Sequence, residues 1–133
     1  MTPEIAQKVL DEMFAPWIKA LQPRITAINA NGVTMVIPAT DEINRVGDIV
    51  CGQALAALAD TAMVFACFGH LGKLEPVGTV TLDTQFLRPA SGDIIRAEAE
   101  VTRAGKSMMF TRCRLIADPV GKDVALATAT FAR

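Results

Sequence analysis

Two hydrophobic patterns divide the chain. Residues 49–68 form a nearly continuous apolar run that contains one charged residue, Asp60, near its middle. A run of this length predicts a helix about 30 Å long, and its scarcity of polar residues indicates that the helix is buried on most sides. From Val77 onward, apolar and polar side chains alternate, which is typical of half-buried strands. The pattern therefore predicts a long central helix followed by a sheet.

Four strands are predicted after the long helix, at residues 77–88, 93–103, 106–116 and 124–131. The short turns between them favour an antiparallel meander. Earlier in the chain, Asn31-Gly32 lies between the apolar segments 24–30 and 33–37. This dipeptide is a strong signal for a hairpin. Residues 38–48 are predicted to form a loop.

An amphipathic helix is predicted at the start of the chain. Thr2 and Pro3 supply a hydroxyl N-cap and a proline at the first helical position. The apolar stripe that recurs every four residues consists of Ile5, Val9, Met13 and Trp17. We expect the helix to pack on an apolar surface through this stripe, and Pro16 predicts a break near Ala15.

Together these elements predict one α+β domain spanning residues 1–133, with an antiparallel sheet wrapped around the helix at about 49–68. The central helix is also long enough to cross a bilayer. Asp60 near its middle, the abundance of small residues and the lack of a flanking Lys/Arg cluster disfavour that alternative. We therefore expect no membrane association.

Composition adds expectations about partners and location. The net charge of −1 argues against nucleic acid as a partner. Residues 86–133 nevertheless carry 8 basic and 5 acidic side chains, which suits either a small phosphorylated ligand or a solvated strand face. The three cysteines lack the paired spacings of a metal site or a disulfide framework, and no cleavable leader opens the chain. We expect a cytoplasmic protein without a metal site.

Five short motifs share a resemblance to one family. They are Cys51-Gly52-Gln53, Leu58-Ala-Asp60-Thr-Ala62, Phe86-Leu-Arg-Pro-Ala90, Gly92-Asp93 and Gly105-Lys-Ser107. Together with the order of elements, they resemble the hotdog-fold acyl-CoA thioesterases of the phenylacetic-acid-pathway (PaaI-like) type, from about Arg24 to Phe131. The resemblance implies a hotdog fold and hydrolysis of an acyl-CoA thioester without a metal or organic cofactor.

The resemblance also implies roles for individual residues. Asp60 lies where the family has its general base or nucleophile, and Gly52 where a backbone N–H polarises the thioester carbonyl. Asn44 and Thr79 match residues that assist the carbonyl and the attacking water. The residues expected to contact the substrate or its CoA portion are Cys51, Gln53, Arg88, Lys106 and Ser107.

The chemistry of Gly52 and Asp60 is plausible without the resemblance. The first turn of a helix presents unpaired N–H groups, and glycine lets a substrate approach them closely. Burial raises the pKa of a carboxyl group, whereas a hydrogen-bond donor lowers it. However, Gly52 and Asp60 are eight residues apart, about 12 Å along a helix. They can therefore act on one carbonyl only from two subunits, which predicts a homodimer, and the family implies a dimer of dimers.

Several alternatives stay open at this stage. Asp60 could be a structural carboxylate that a neighbouring hydroxyl satisfies. Cys51 at a helix N-terminus could be a nucleophile, although no base is evident beside it. Because Cys51 and Gln53 replace the family's usual His and Gly, the protein could bind acyl-CoA without hydrolysing it. A hotdog hydratase is a further alternative, with His70 as its only candidate histidine.

Overall fold

A computed structural model describes all of residues 1–133 and contains three helices and eight strands. The helices are α1 (Pro3–Met13), α2 (Pro16–Lys19) and α3 (Gly52–Leu71). The strands are β1 (Arg24–Asn29), β2 (Gly32–Pro38), β3 (Asn44–Arg45), β4 (Ile49–Val50), β5 (Gly78–Phe86), β6 (Ile94–Ala104), β7 (Met108–Asp118) and β8 (Lys122–Ala132). Six strands form one antiparallel sheet that packs against α3, and β3 and β4 form a separate pair.

The long helix α3 is present, but it is shifted by three residues relative to the predicted range. Ile49 and Val50 belong to β4, and Cys51 is the N-cap. At the other end the helix continues to Leu71, and Gly72 stops it by adopting the left-handed conformation (φ 69°). The apolar run continues from strand into helix, so hydrophobicity alone did not mark the boundary.

The strand order is β1-β2-β6-β7-β8-β5. Strands β6, β7 and β8 form the predicted meander, but β5 pairs with β8 rather than with β6. The prediction of a four-stranded meander is therefore wrong. The link at residues 87–93 has to cross three strand spacings, about 14 Å, and seven residues can span about 24 Å. A short connection thus permits the crossover as well as a hairpin.

Small residues let α3 lie close to the sheet. Its buried residues include four alanines, Ala54, Ala59, Ala62 and Ala66. A Cβ atom added to Gly69 would lie 2.5 Å from the carbonyl oxygen of Asn29 on β1. By length and composition α3 is a candidate membrane span, but here its apolar side chains pack into the protein core.

The N-terminal helix begins and ends as predicted. Thr2 accepts a hydrogen bond from the N–H of Ile5 through its hydroxyl, and Pro3 occupies the first helical position. The helix stops at Met13, and Pro16 opens the short α2. The hairpin at Asn31-Gly32 is also present, between β1 and β2.

The buried face of α1 is not the predicted stripe. Ala6 and Leu10 are buried, whereas Ile5, Met13 and Trp17 are 55, 62 and 60% exposed. Of the predicted stripe, only Val9 packs partly against the core. A polar side chain, rather than the apolar stripe, sets the rotation of α1 about its own axis.

Gln7 fixes that rotation. Its Oε1 accepts a hydrogen bond from the N–H of Ile25 (2.9 Å), and its Nε2 donates to the carbonyl of Pro23 (3.1 Å). Near the end of the helix, the ring of Phe14 stacks on Phe65 of α3 with a centroid distance of 5.2 Å. These contacts turn Ala6 and Leu10 inward. The spacing of apolar residues every four positions gives no information about these contacts.

Candidate active site

Asp60 and Thr79 meet on the flank of α3 that faces β5. The hydroxyl of Thr79 donates a hydrogen bond of 2.9 Å to Oδ1 of Asp60. No other hydrogen bond to this carboxylate is formed within the chain, so its Oδ2 has no partner. One oxygen is held and the other is available to a ligand or water.

A β-bulge brings Thr79 to Asp60. Thr79 pairs with Phe131 and Thr81 pairs with Thr130, which leaves Val80 as the extra residue. If side chains alternated strictly along β5, Thr79 would share a face with Thr81, opposite Phe86. The bulge instead places Thr79 on the same face as Phe86, because one inserted residue changes which face the preceding side chains occupy.

The environment of Asp60 changes its acidity in two opposed ways. Partial burial raises the pKa of the carboxyl group above its ordinary value of 3.8, because desolvation disfavours the charged form. The hydrogen bond from Thr79 lowers the pKa, but by less than burial raises it. The result is a more basic carboxylate than an exposed aspartate.

The N-terminus of α3 carries unsatisfied donors. Cys51 is the N-cap, and its side chain makes no capping hydrogen bond. The first backbone bond of the helix runs from the N–H of Leu55 to the carbonyl of Cys51, so the N–H groups of Gly52, Gln53 and Ala54 have no partner in the chain. These donors and the helix dipole form a local site of positive potential.

Phe86 lies beside these donors. A Cβ atom built on Gly52 would approach its ring to 3.2 Å at Cζ. The ring is 54% exposed, so one edge rests on the helix and the rest faces outward. Glycine at position 52 allows this close contact.

Asn44 belongs to the same end of α3. It pairs with Val50 in the β3–β4 ladder, and the neighbouring Ile43 carbonyl accepts a hydrogen bond from the N–H of Cys51 (2.9 Å). Its Oδ1 atom is buried without a hydrogen-bond partner in the chain. The amide therefore lies near the first turn of α3, with its oxygen left without a partner in the chain.

Within one chain, the predicted site residues form two separate groups. Thr79 lies at the start of β5 beside Asp60, and Phe86 lies at its end beside Gly52. Their pairing partners on β8, Phe131 and Ala125, are six positions apart, so about 20 Å of strand separates them. The chain does not bring Asp60 and Gly52 to one point.

The residues expected to bind CoA are divided in the same way. Arg88 follows β5 at the Gly52 end and donates to the carbonyl of Asp123. Lys106 and Ser107 are exposed in the β6–β7 turn, whose following residue Met108 is paired with Ala132 at the opposite end. Gln53 is exposed and Cys51 is half-buried beside Gly52.

The other candidate groups lie away from Asp60. His70 is exposed in the last turn of α3 and makes no hydrogen bond to Asp60. Burial raises the pKa of the Cys67 and Cys113 thiols to about 12, so neither supplies a thiolate near neutral pH. No group of three or more His, Cys, Asp or Glu side chains is placed to hold a metal ion.

A groove of about 890 Å³ lies on the outer face of the sheet and not at Asp60. A twisted sheet is saddle-shaped, so this face is concave along one diagonal. The basic side chains of the C-terminal half pair here with acidic ones of the same chain: Arg96 with Asp118, Arg112 with Glu100, and Arg114 with Asp123. This favours a solvated strand face over a phosphate site.

Residues 47–123, more than half of the chain, match the thioesterase superfamily, and the chain belongs to that family. Its antiparallel sheet packed around one long helix is the hotdog fold. The chain is 27% identical over 94 residues to a provisionally named esterase of Thermoplasma volcanium, covering 71% of this chain and 70% of that protein. The family and this relative support a hydrolase of thioester or ester bonds.

Two solved structures share the fold. Thioesterase HI1161 of Haemophilus influenzae superposes with a TM-score of 0.86 at 17% identity, covering 99% of this chain and 90% of that chain. A thioesterase family protein of Silicibacter pomeroyi gives a TM-score of 0.84 at 22% identity, covering 96% of this chain and 93% of that chain. Both likenesses extend over nearly the whole molecule.

Thr84 and Phe86 are the residues at this site that the sequence did not single out as functional. Phe86 lies in a motif that carries the family resemblance, but nothing in the sequence places its ring on Gly52. Thr84 has a buried hydroxyl oxygen without a hydrogen-bond partner in the chain. The alternation of apolar and polar side chains along β5 was the one sequence signal that could have predicted which face Thr84 occupies.

Proposed function

We propose that this protein hydrolyses an acyl-CoA thioester to the free acid and CoA, with Asp60 as the general base and a homodimer as the catalytic unit. The observation that carries the proposal is the Asp60–Thr79 pair. It places a half-buried carboxylate of raised pKa, with one oxygen unpaired, on the central helix of a thioesterase superfamily chain.

The reaction follows from this arrangement. Thr79 holds Oδ1 of Asp60, and Oδ2 takes a proton from a water molecule that attacks the thioester carbonyl carbon. The tetrahedral intermediate collapses by breaking the C–S bond, and the leaving CoA thiolate takes the proton from Asp60, which restores the carboxylate. Direct attack by the carboxylate would use the same geometry and form an anhydride that water then hydrolyses.

The developing negative charge on the carbonyl oxygen needs hydrogen-bond donors. The unpaired N–H of Gly52 at the start of α3 is suited to this, because it is fixed in the backbone and aligned with the helix dipole. The side chain of Asn44 is suited to assist, because its unpaired Oδ1 can accept a hydrogen bond from the attacking water and its Nδ2 can donate one to the carbonyl oxygen.

The edge strand β5 supports a dimer. It pairs only with β8, so its other edge is unpaired over nine residues. Val80, Leu82 and Phe86 on this strand are 54, 39 and 54% exposed. A long, apolar, unpaired edge is a template for pairing with another chain, and a second copy offers the same strand.

Antiparallel pairing of two β5 strands would bring together the two groups that one chain keeps apart. The start of one strand would lie beside the end of the other. Asp60 and Thr79 would then face Gly52 of the partner subunit, and a two-fold axis would create two such sites. The same pairing brings Lys106 to the end of the molecule where Arg88 of the partner subunit lies, and two exposed cations there suit the CoA phosphates.

Release of free thiol from acetyl-, palmitoyl- and benzoyl-CoA tests the proposal, with wild type measured beside Asp60→Asn. We expect the wild type to hydrolyse at least one of these thioesters and Asp60→Asn to lose on the order of 100-fold or more in turnover. Its melting temperature should be equal or higher, because the desolvation of a carboxylate is removed.

The matched control is Asp11→Asn, which changes an exposed helical aspartate far from the site and should leave turnover unchanged. An Asp60→Asn variant with wild-type turnover would refute the mechanism. Wild type that binds acyl-CoA without releasing thiol would instead indicate a binding protein.

A further inference from the structure

Only two buried polar side-chain atoms in the chain lack a hydrogen-bond partner, Oδ1 of Asn44 and Oγ1 of Thr84. Buried polar groups are nearly always satisfied by protein, by water or by a ligand. Asn44 lies beside the helix donors described above. Thr84 has no role in the hydrolysis described above, so its unpaired hydroxyl calls for a separate explanation.

Thr84 lies on the face of β5 that is turned toward α3, and its hydroxyl oxygen is buried there. Its neighbours Asp83 and Gln85 line the groove on the outer face of the sheet. Because side chains alternate along a strand, Thr84 shares the inner face with Phe86, whose ring touches Gly52. The hydroxyl therefore lies two strand positions, about 7 Å, from Phe86 at the Gly52 end of β5.

On the face of β5 that is turned toward α3, apolar and polar side chains follow one another in turn. Leu82, Thr84 and Phe86 follow one another there, so a single hydroxyl is flanked by two apolar side chains about 7 Å away on either side. The pantetheine arm of CoA has a matching pattern, in which amide groups are separated by methylene segments. These three side chains thus offer one hydrogen bond and two apolar contacts to an extended chain of that kind.

We propose that Thr84 is a substrate-positioning residue whose hydroxyl hydrogen-bonds an amide of the pantetheine arm and so aligns the thioester between Asp60 and the helix donors. This inference rests on the proposed acyl-CoA thioesterase function. In the ligand-free chain the hydroxyl is buried without a partner, and the substrate supplies one. The hydroxyl of Thr84 therefore lowers the stability of the ligand-free protein and increases its affinity for the substrate.

Thr84→Val and Thr84→Ser separate these two effects. Valine matches threonine in shape but removes the hydroxyl, so Thr84→Val should melt at the same temperature as wild type or higher, because no internal hydrogen bond is lost. The same variant should raise KM for acetyl-CoA about tenfold. Thr84→Ser, which keeps the hydroxyl, should restore KM to near the wild-type value.

Truncated substrates identify the group that Thr84 binds. The N-acetylcysteamine thioester of acetate retains the first amide of the pantetheine arm, whereas S-ethyl thioacetate has none. We expect Thr84→Val to lose activity on acetyl-CoA and on the N-acetylcysteamine thioester, and to equal wild type on S-ethyl thioacetate. An equal loss on all three would overturn the assignment to an amide.

Two further results would refute the proposal. A wild-type KM for Thr84→Val would show that the hydroxyl does not contact the substrate. A lower melting temperature together with loss of the dimer would show that the partner subunit satisfies the hydroxyl instead. If the wild type hydrolyses none of these thioesters, the proposed function fails, and calorimetric binding of CoA to wild type and Thr84→Val decides the role of Thr84 separately.

Discussion

The contact between Thr79 and Asp60 depends on one residue, the bulged Val80. The apolar run predicts that Asp60 is an isolated carboxylate in a buried helix, and the resemblance gives Thr79 a role at the carbonyl and the attacking water. Alternation alone could not place Thr79, because a bulge depends on how β5 pairs with β8 rather than on local sequence. The acid–base chemistry of the site thus depends on a pairing irregularity that the alternation of side chains along β5 does not reveal.

Thr79→Val should shift the pH dependence of hydrolysis. The hydrogen bond from Thr79 lowers the pKa of Asp60, so its removal should raise that pKa further and move the acid limb of kcat/KM to higher pH. A pH–rate profile of wild type, Thr79→Val and Thr79→Ser measures this, with Thr79→Ser close to wild type because it keeps the donor. An unchanged acid limb in Thr79→Val would mean that Asp60 is not the titrating base.

The raised pKa of Asp60 also has a consequence for stability. The folded state binds this proton more tightly than the unfolded state, whose pKa stays near 3.8. The contribution of Asp60 to folding is therefore most favourable below that pH and falls as the pH rises through the folded-state pKa. The site thus works at some cost to stability at neutral pH.

At the scale of elements, the sequence predicted where the long helix and the strands lie, but it did not predict which face of α1 is buried. The apolar run predicts α3 and the period of two predicts β5 to β8, in each case within a few residues. The buried face of α1 was wrong, because Gln7 bonds β1 and rotates the helix by about one residue position. Such tertiary hydrogen bonds leave no periodic trace in the sequence.

Gly69→Ala tests how closely α3 approaches the sheet. On an open helix this change would stabilise by about 1 kcal/mol. Here the added Cβ would lie 2.5 Å from the carbonyl oxygen of Asn29 and 3.0 Å from Cγ1 of Ile28, so we expect destabilisation by about 1–3 kcal/mol. Urea unfolding measures the sign directly, and a stabilised variant would contradict this packing.

At the scale of the whole molecule, the sequence predicted a sheet wrapped around a helix but misplaced β5. Strand order depends on which edge a seven-residue link can reach, and several edges were within reach. The observed order matters for function, because it leaves β5 at an open edge. The spacing of Gly52 and Asp60 already indicated two subunits, whereas the surface that could join them became visible only in the fold.

Complementation between two inactive variants measures the central claim most directly. Asp60→Asn removes the base, and Gly52→Pro removes the backbone N–H at a helical position that accepts proline. Cys51 before it already has the extended conformation (φ −67°, ψ 151°) that proline requires of its predecessor. Gly52→Ala is the matched control, because it adds a carbon but keeps the N–H.

Each variant alone should lose on the order of 100-fold in turnover. Co-expressed in equal amounts, they should recover about a quarter of wild-type activity, because half of the dimers are mixed and each mixed dimer has one intact site. That recovery would establish a site built from Asp60 of one subunit and Gly52 of the other. Mixed dimers that stay as inactive as the parents would contradict the account.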